Sequence, residues 1–309
     1  MKNTIEEIYY DDFIDFYKDM LPRGNLYSPS KRIFRGQSSK SYTLLPSALR
    51  KDRLNELINA SGWIRYVDAQ LTIKKQLELE IRSLTNFYKL AHSNGLNIPK
   101  IEYISNRYDD PFSYYSLLET EDVVWPHPDF IELMAIAQHN GIPTRMLDWT
   151  YDYNVALYFA ALGACRKLES NNVNYKENDF ITLWFLNITD FLVVNNNTPI
   201  KFIVSNYCEN KNIHAQRGIL SYCPTIYKEF HSKNNKSDID RTPIENILQN
   251  SDIEIKDIKK IFIPAHNARR LLTYLRQLGY TTSRLFPGYK GVADELQETR
   301  FLVASWEIE

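Results

Sequence analysis

Cysteine is scarce in this chain: Cys165, Cys208 and Cys223 are all there is in 309 residues, widely spaced and odd in number. No Cys-x-x-Cys pair and no Cys/His cluster with ligand spacing occurs, which speaks against a disulfide framework and against a zinc site. An excess of either charge is also missing, since 37 basic and 38 acidic residues leave a net charge of -1. A non-specific polyanion binder needs a clear basic surplus, so there is no strong nucleic-acid signal, although a local basic patch is compatible with that balance. No apolar run approaches the length of a membrane span, and Met1-Lys2-Asn3-Thr4-Ile5-Glu6-Glu7 has no apolar signal core. The expectation is a cytoplasmic protein without a membrane partner or a metal.

What is present is the balance of a soluble globular protein, 44% hydrophobic and 24% charged. The length suits one large domain or two ordinary ones. Aromatic residues reach 13%, including 21 Tyr, so the core should be rich in rings that carry a polar tip.

Periodicity predicts a short helix over 6–20 and a strand over 31–37 that runs into a turn at Gly36. A long amphipathic helix is expected over 63–93, where Ile73, Leu77, Ile81, Leu84, Tyr88 and Ala91 step by three and four and Gly95 lies just past the end. Residues 100–127 read as irregular. Helices follow over 129–138 and 153–168, the second with small residues suited to close approach to a sheet. Phe180–Leu186 is a nearly continuous apolar strand of the kind buried on both faces. Residues 201–204 and 260–264 read as further strands, 267–278 as a helix, and 300–306 as a final strand. Residues 228–257 read as a polar, exposed excursion with some helix. With neither an internal repeat nor a flexible linker, the pattern is that of a single α+β domain, with helices packed around a central mixed sheet.

Gln138–Thr150 carries the densest chemistry: an imidazole, a guanidinium, a carboxylate, two amides and two hydroxyls between flanking apolar helices. Loops that join rigid elements concentrate binding and catalytic groups. His139 reads as a general base, a phosphate donor or a helix C-cap, the cap being favoured on residue type alone. Asp148 is suited to locking Arg145 by an ion pair or His139 in one tautomer. Trp149 is suited to ring stacking or, more commonly for its type, to the core. Arg35 at a strand end reaches an anion bidentately, or else caps a local acid. If 214–220 is a strand, His214 and Gln216 share a face, an arrangement that costs free energy unless the groups are bonded or functional. Leu285–Gly291 reads as an architectural turn.

Phe34-Arg35-Gly36-Gln37 together with Gln138–Thr150 resembles the FRG-domain family, named for its Phe-Arg-Gly motif. The second run matches the family pattern Gln-His-x-Gly-x-Pro-Thr-Arg-Leu-Leu-Asp-Trp-Thr with Met146 for Leu, and Ala156–Ala160 matches the Ala-Leu-Tyr-Phe-Ala that follows. Ala215–Leu220 is a weaker match, with Arg217 for Gln and Leu220 for Phe, and Ile263-Pro264 and Leu285-Phe286-Pro287 are weaker still. The resemblance runs over about 30–295. It implies an N-terminal helical segment at 1–29 and an FRG domain over 30–309 as one unit.

A looser similarity to ADP-ribosyltransferases implies an α+β fold with a central mixed or split β-sheet flanked by helices. Phe34-Arg35-Gly36 looks like their first element, and Thr144 to Phe159 like their strand–helix element. The implied substrate is NAD. Arg35, His139 and Gln216 would take catalytic roles, and Arg35, Gln37, Thr144, Arg145 and Asp148 would hold the nucleotide. The third element departs from the pattern: Gln216 or His214 stands where a Glu is expected, which leaves Glu295 or Glu298 as substitutes. The implied function is an NAD-using transferase or NAD-cleaving enzyme, in a bacterial toxin or antiphage defence effector with an unknown macromolecular acceptor. The alternatives are a non-catalytic module for a nucleotide or phosphate ligand, and a buried polar network of Arg35, His139 and Asp148 that only braces the fold.

Overall fold

In the computed structural model of the protein, the described residues are 3–303 apart from 23, 25, 27–30, 64–70, 107–109, 111–121, 172–178, 190, 192–197, 205–210, 228–238, 253–254 and 256. The strands are β1 (Ile5–Tyr9), β2 (Arg32–Gln37), β3 (Val123–Trp125), β4 (Leu147–Thr150), β5 (Phe180–Asn187), β6 (Lys201–Ile203), β7 (Gly218–Tyr222), β8 (Thr225–Tyr227) and β9 (Ile258–Pro264). The helices are α1 (Phe13–Met20), α2 (Leu54–Ser61), α3 (Ile73–Ser93), α4 (Glu102–Ser105), α5 (Ile131–His139), α6 (Tyr153–Asn171), α7 (Lys211–Ala215), α8 (Ile244–Gln249), α9 (Ala268–Gln277), α10 (Thr282–Leu285) and α11 (Tyr289–Glu298).

Seven of these strands form one sheet in the order β1-β9-β5-β2-β4-β7-β6, and β3 pairs with β8 in a separate ribbon. Only β1–β9 is parallel; every other pairing is antiparallel. The fold is therefore mixed α/β, built on one mostly antiparallel sheet with helices around it. β5 runs through the middle, paired to β2 on one side and β9 on the other. Its apolar sequence follows from burial on both faces. On one face Phe34, Phe185 and Ile261 pack with α1, α6 and α9, and on the other Ile33, Trp184 and Trp149 pack with α8. A third cluster gathers α3, α5 and the β3–β8 ribbon.

The approach of α6 to β2 fixes the centre of the molecule. A Cβ built at Gly36 would lie 1.8 Å from the carbonyl oxygen of Ala156 and 3.1 Å from the Ala160 side chain, so no larger residue fits there without displacing the helix. Gly36 is thus not the turn the sequence suggests. It sits inside β2, and β2 continues to Gln37. The small face read in 153–168 does meet the sheet.

Several other boundaries move. The segment expected as one helix over 6–20 is β1 followed by α1, because Glu6 pairs in register with Lys259 of β9 and their side chains form an ion pair, while the Asp12 side chain caps Ile14. The long helix begins at Ile73, where the Thr72 hydroxyl accepts from Lys75 N at 3.4 Å; residues 64–70 of that expectation lie outside the described residues. Within 100–127, β3 and the short α4 appear. The 228–257 stretch is not simply exposed, since Ile244 and Leu248 of α8 and Ile255 are buried against the sheet. Of the final strand expected over 300–306, 300–301 belong to a 3-10 turn at Thr299–Phe301 that follows α11, 302–303 are in no strand, and 304–306 lie outside the described residues.

Candidate functional site

β2 and β4 share a single register pair, Phe34 with Thr150. Toward Gly36 and Asp148 the ladder between them is not continued, and the Arg35 guanidinium takes its place: Nη1 donates to the Asp148 carbonyl oxygen at 2.5 Å. A cavity of about 300 Å³ opens at this split. Its polar lining is Arg35, Gln138, His139, Asp148, Thr150 and Gln216, and its apolar walls include Phe34, Phe159 and Phe286. The Phe159 and Phe286 rings meet edge-on, 5.9 Å between centroids. This mix of apolar wall and a few convergent polar groups is the usual make-up of a small-ligand site.

Each polar group is held by a different part of the chain. Asp148 is half exposed, at 50% of its side chain. Its Oδ1 accepts from Gln138 Nε2 at 2.6 Å, and Oδ2 lies 3.9 Å from Arg35 Nη1. Gln138 is oriented in turn by the Thr144 hydroxyl, which donates to its Oε1. Thr150 donates to the backbone oxygen of Gln216 at 2.7 Å, and Gln216 Nε2 donates to Leu285 O at 3.1 Å. These bonds tie the turn before β7 and the turn after α10 to the cavity wall. Asn140 and Gly141 close the C-terminus of α5, Gly141 at φ +89°, which a glycine adopts without strain. His139, the last helical residue, is thereby turned toward the cavity.

The Arg35 side chain is only 18% exposed and its buried Nε has no hydrogen-bond partner. Burial pulls its pKa down; Asp148 opposes that only in part, and nearby Arg50 adds to it. His139 Nε2 is also buried without a partner, and burial, partly countered by Asp148, holds the imidazole below its usual range. Two cavity residues therefore carry a buried polar atom without a partner, a donor on Arg35 and a ring nitrogen on His139.

Of the residues expected at the site, Arg35, His139, Asp148 and Gln216 converge on the cavity. Gln37 does not: Trp184 Nε1 donates to its Oε1 at 2.8 Å and its Nε2 donates to Thr43 O at 3.0 Å, on the packed side of β2. Arg145 faces away, its Nε donating to Glu80 Oε1 and Oε2 at 3.0 and 2.8 Å and its Nη1 to Tyr227 OH at 2.6 Å. Asp148 therefore locks neither Arg145 nor, by a hydrogen bond, His139. Thr144 is buried and acts through Gln138.

His214 and Gln216 do not share a strand face. His214 is in α7 and Gln216 in the turn after it, with Arg217 at φ +48° before β7 begins at Gly218. Trp149 is buried in the core, with its Nε1 bonded to Ser221 Oγ at 2.8 Å, and it also lines the cavity. Neither candidate substitute carboxylate lines the cavity: Glu298 accepts from Tyr158, Thr282 and Arg166, and Glu295 from Ser283 N and pairs with Arg276. Asp148 is the one acidic residue lining it among the described residues. Gln138, Thr150, Phe159 and Phe286 enter the site without having been expected there. The first two lie in the polar run, where alternation along β4 would have placed Thr150 beside Asp148. Phe286, just after α10, lies in the stretch read from sequence as an architectural turn and matched only weakly to the family.

Among the described residues no group of three or more His, Cys, Asp or Glu is placed to hold a metal ion. No helix among them is long and apolar enough to cross a membrane. Residues 30–169 match the FRG domain family. Every cavity-lining residue except Gln216 and Phe286 falls inside that match. No curated protein and no solved structure matches the chain.

Proposed function

We propose that the cavity is a binding pocket for a nucleotide of the NAD type, with a phosphate against Arg35 and a ring against Phe159 and Phe286. The observation that carries this reading is the convergence of Arg35 from β2, His139 from α5, Asp148 and Thr150 from β4 and Gln216 from the turn before β7 on one cavity beside an aromatic wall. Arg offers an anion a planar fork of donors, and the ring pair offers a base or nicotinamide an edge-to-face neighbour. With His139 neutral, Arg35 and Asp148 leave the lining itself without net charge. Saturating ADP-ribose should raise the melting temperature of the protein, and Arg35→Ala should abolish that rise. An unchanged rise in the variant sinks the reading.

A second reading, cleavage of the nicotinamide–ribose bond, is favoured by the exposed Asp148 carboxylate. As nicotinamide leaves, the ribose carbon becomes cationic, and a carboxylate near it lowers that barrier. Gln216, an amide, supplies hydrogen bonding without charge. Transfer of ADP-ribose to a macromolecular acceptor, as in a toxin or antiphage effector, belongs to this second reading. Nicotinamide release from NAD by the wild type, lost in Asp148→Asn, would support it. Ligand stabilisation without release leaves the binding reading alone.

A further inference from the structure

The polar side chains of the cavity differ in what they still have to offer. Gln138 Nε2 donates to Asp148 Oδ1 at 2.6 Å, Thr150 to the backbone oxygen of Gln216 at 2.7 Å, and Gln216 Nε2 to Leu285 O at 3.1 Å. The amide and hydroxyl donors of the wall are thus each engaged within the protein. Acceptors are left over. Asp148 Oδ2 stands 3.9 Å from Arg35 Nη1, beyond hydrogen-bond reach, and Gln216 Oε1 accepts from no group among the described residues. A carboxylate can only accept, and half of the Asp148 side chain is exposed.

The direction of the bonds that end at Asp148 is fixed from behind. Met146 N donates to Thr144 Oγ1 at 3.3 Å, which leaves the Thr144 hydroxyl proton for Gln138 Oε1. With its oxygen taken, the Gln138 amide turns its nitrogen to Asp148. Donors in series therefore run toward the carboxylate and none leaves it. Whatever a ligand places beside Asp148 must bring a donor of its own, and a bare phosphate brings only negative oxygens.

We infer that Asp148 reads the vicinal hydroxyls of a sugar beside the phosphate held by Arg35, so that the site takes ribose phosphates in preference to deoxyribose phosphates and to phosphate alone. Two adjacent hydroxyls match the two oxygens of a carboxylate: Oδ2 is open, and Oδ1 keeps a lone pair beside the bond from Gln138. Gln216 Oε1 is a further acceptor on the same lining, joined to β4 through Thr150. The inference rests on the nucleotide reading for the phosphate at Arg35 and for what lies beyond the sugar, not for the hydroxyl preference itself.

Calorimetric titration of the full chain with ribose 5-phosphate, 2-deoxyribose 5-phosphate, inorganic pyrophosphate and ADP-ribose tests this. The wild type should bind ribose 5-phosphate more tightly than its deoxy analogue by about tenfold or more, the worth of one hydrogen bond to a charged acceptor. In Asp148→Asn the substituted side chain must turn its oxygen to Gln138 and its NH2 group to the ligand. That variant should lose the preference for the 2-hydroxyl and bind pyrophosphate severalfold more tightly than the wild type does. A damaged fold would not strengthen one ligand while weakening another. Equal wild-type affinity for the two sugar phosphates, or no binding of ribose 5-phosphate, overturns the inference. So does an Asp148→Asn variant that keeps the preference or weakens every ligand by the same factor. ADP-ribose bound without any preference between the sugar phosphates overturns the inference and leaves the nucleotide reading standing. A preference that depends on Asp148, without any binding of ADP-ribose, upholds the inference and overturns the nucleotide reading.

Discussion

Arg35 and Arg145 come from the two runs that mark the FRG domain, yet their surroundings differ in kind. Arg145 is 6% exposed, Glu80 opposite it 2%, and the carboxylate is further bonded by Trp125 Nε1 at 2.7 Å and Gln76 Nε2 at 2.6 Å. Burial alone would lower the Arg145 pKa, but the charges of Glu80 and the Tyr227 hydroxyl outweigh it and hold the guanidinium above its ordinary value. Arg35 has one good bond, to a backbone oxygen, a distant carboxylate and an unpartnered Nε. A saturated arginine joins α3, the loop before β4 and β8 into one body. An unsaturated arginine at the split between β2 and β4 is held in place with donors to spare. The comparison teaches that the residue type marks neither role; the number of donors already satisfied does.

The largest break in this contrast is expected on the saturated side. Arg145→Ala leaves Glu80 ionised and buried with two neutral donors, and should cost about 3–5 kcal/mol of stability, read from urea denaturation. A loss below about 1 kcal/mol would show that the network is not structural. Gly36→Ala comes next. Its Cβ would meet a backbone oxygen of α6 at 1.8 Å, so the helix must shift, at roughly 2–3 kcal/mol by the scale of overpacked cores. Because α6 carries Val155, Ala156 and Phe159 into the cavity, that variant should also lose ADP-ribose stabilisation even where it folds.

Arg35→Ala should do the opposite of Arg145→Ala. Removing a guanidinium whose one strong bond is to a carbonyl should cost about 1.5–3 kcal/mol, while the stabilisation by ligand, about 2.7 kcal/mol at a hundredfold excess over Kd, should vanish. Thermal melts with and without ADP-ribose separate the two quantities. A destabilisation as large as that of Arg145→Ala, with ligand response intact, would move Arg35 to the structural side.

This difference is only half legible in the sequence. The strands at β2, β5 and β9 and the helices α5, α6 and α9 follow from apolar spacing, because each presents one continuous face or run to the core. The run at Gln138–Thr150 shows that polar groups gather, but not which way they turn. Arg145 and Asp148 lie on opposite sides of the entry to β4, and Arg145 finds its carboxylate 65 residues earlier in α3. Such pairing depends on tertiary packing, which local pattern does not encode. The same holds for Gln37, captured by Trp184 across the β2–β5 ladder. β1 escapes notice because its alternation is masked by Glu6 and Glu7, and the lysine that pairs with Glu6 lies in β9. Gln216 does reach the cavity, but from a turn and not from the strand face that alternation suggested. Gly36 illustrates the converse: its place in the motif is plain, while its reason, the Ala156 carbonyl, appears only when α6 is laid on the sheet.

The smallest effect concerns His139, which shares the cavity with Arg35. Its folded pKa lies below the ordinary value near 6.5 because burial disfavours the imidazolium, with Asp148 countering only part of this. Above that ordinary value both folded and unfolded chains carry neutral imidazole, and the residue contributes no pH dependence. As pH falls through it, the unfolded chain takes up a proton that the folded chain does not, so stability declines until the folded pKa is reached. Urea midpoints between pH 7.5 and 5 should therefore fall more for the wild type than for His139→Gln. An anion seated beside His139 would favour the imidazolium and oppose the burial effect, so saturating ADP-ribose should flatten the wild-type slope toward that of the variant. A slope that persists unchanged under ligand would place the phosphate away from His139 and leave Arg35 as its contact on that side of the pocket.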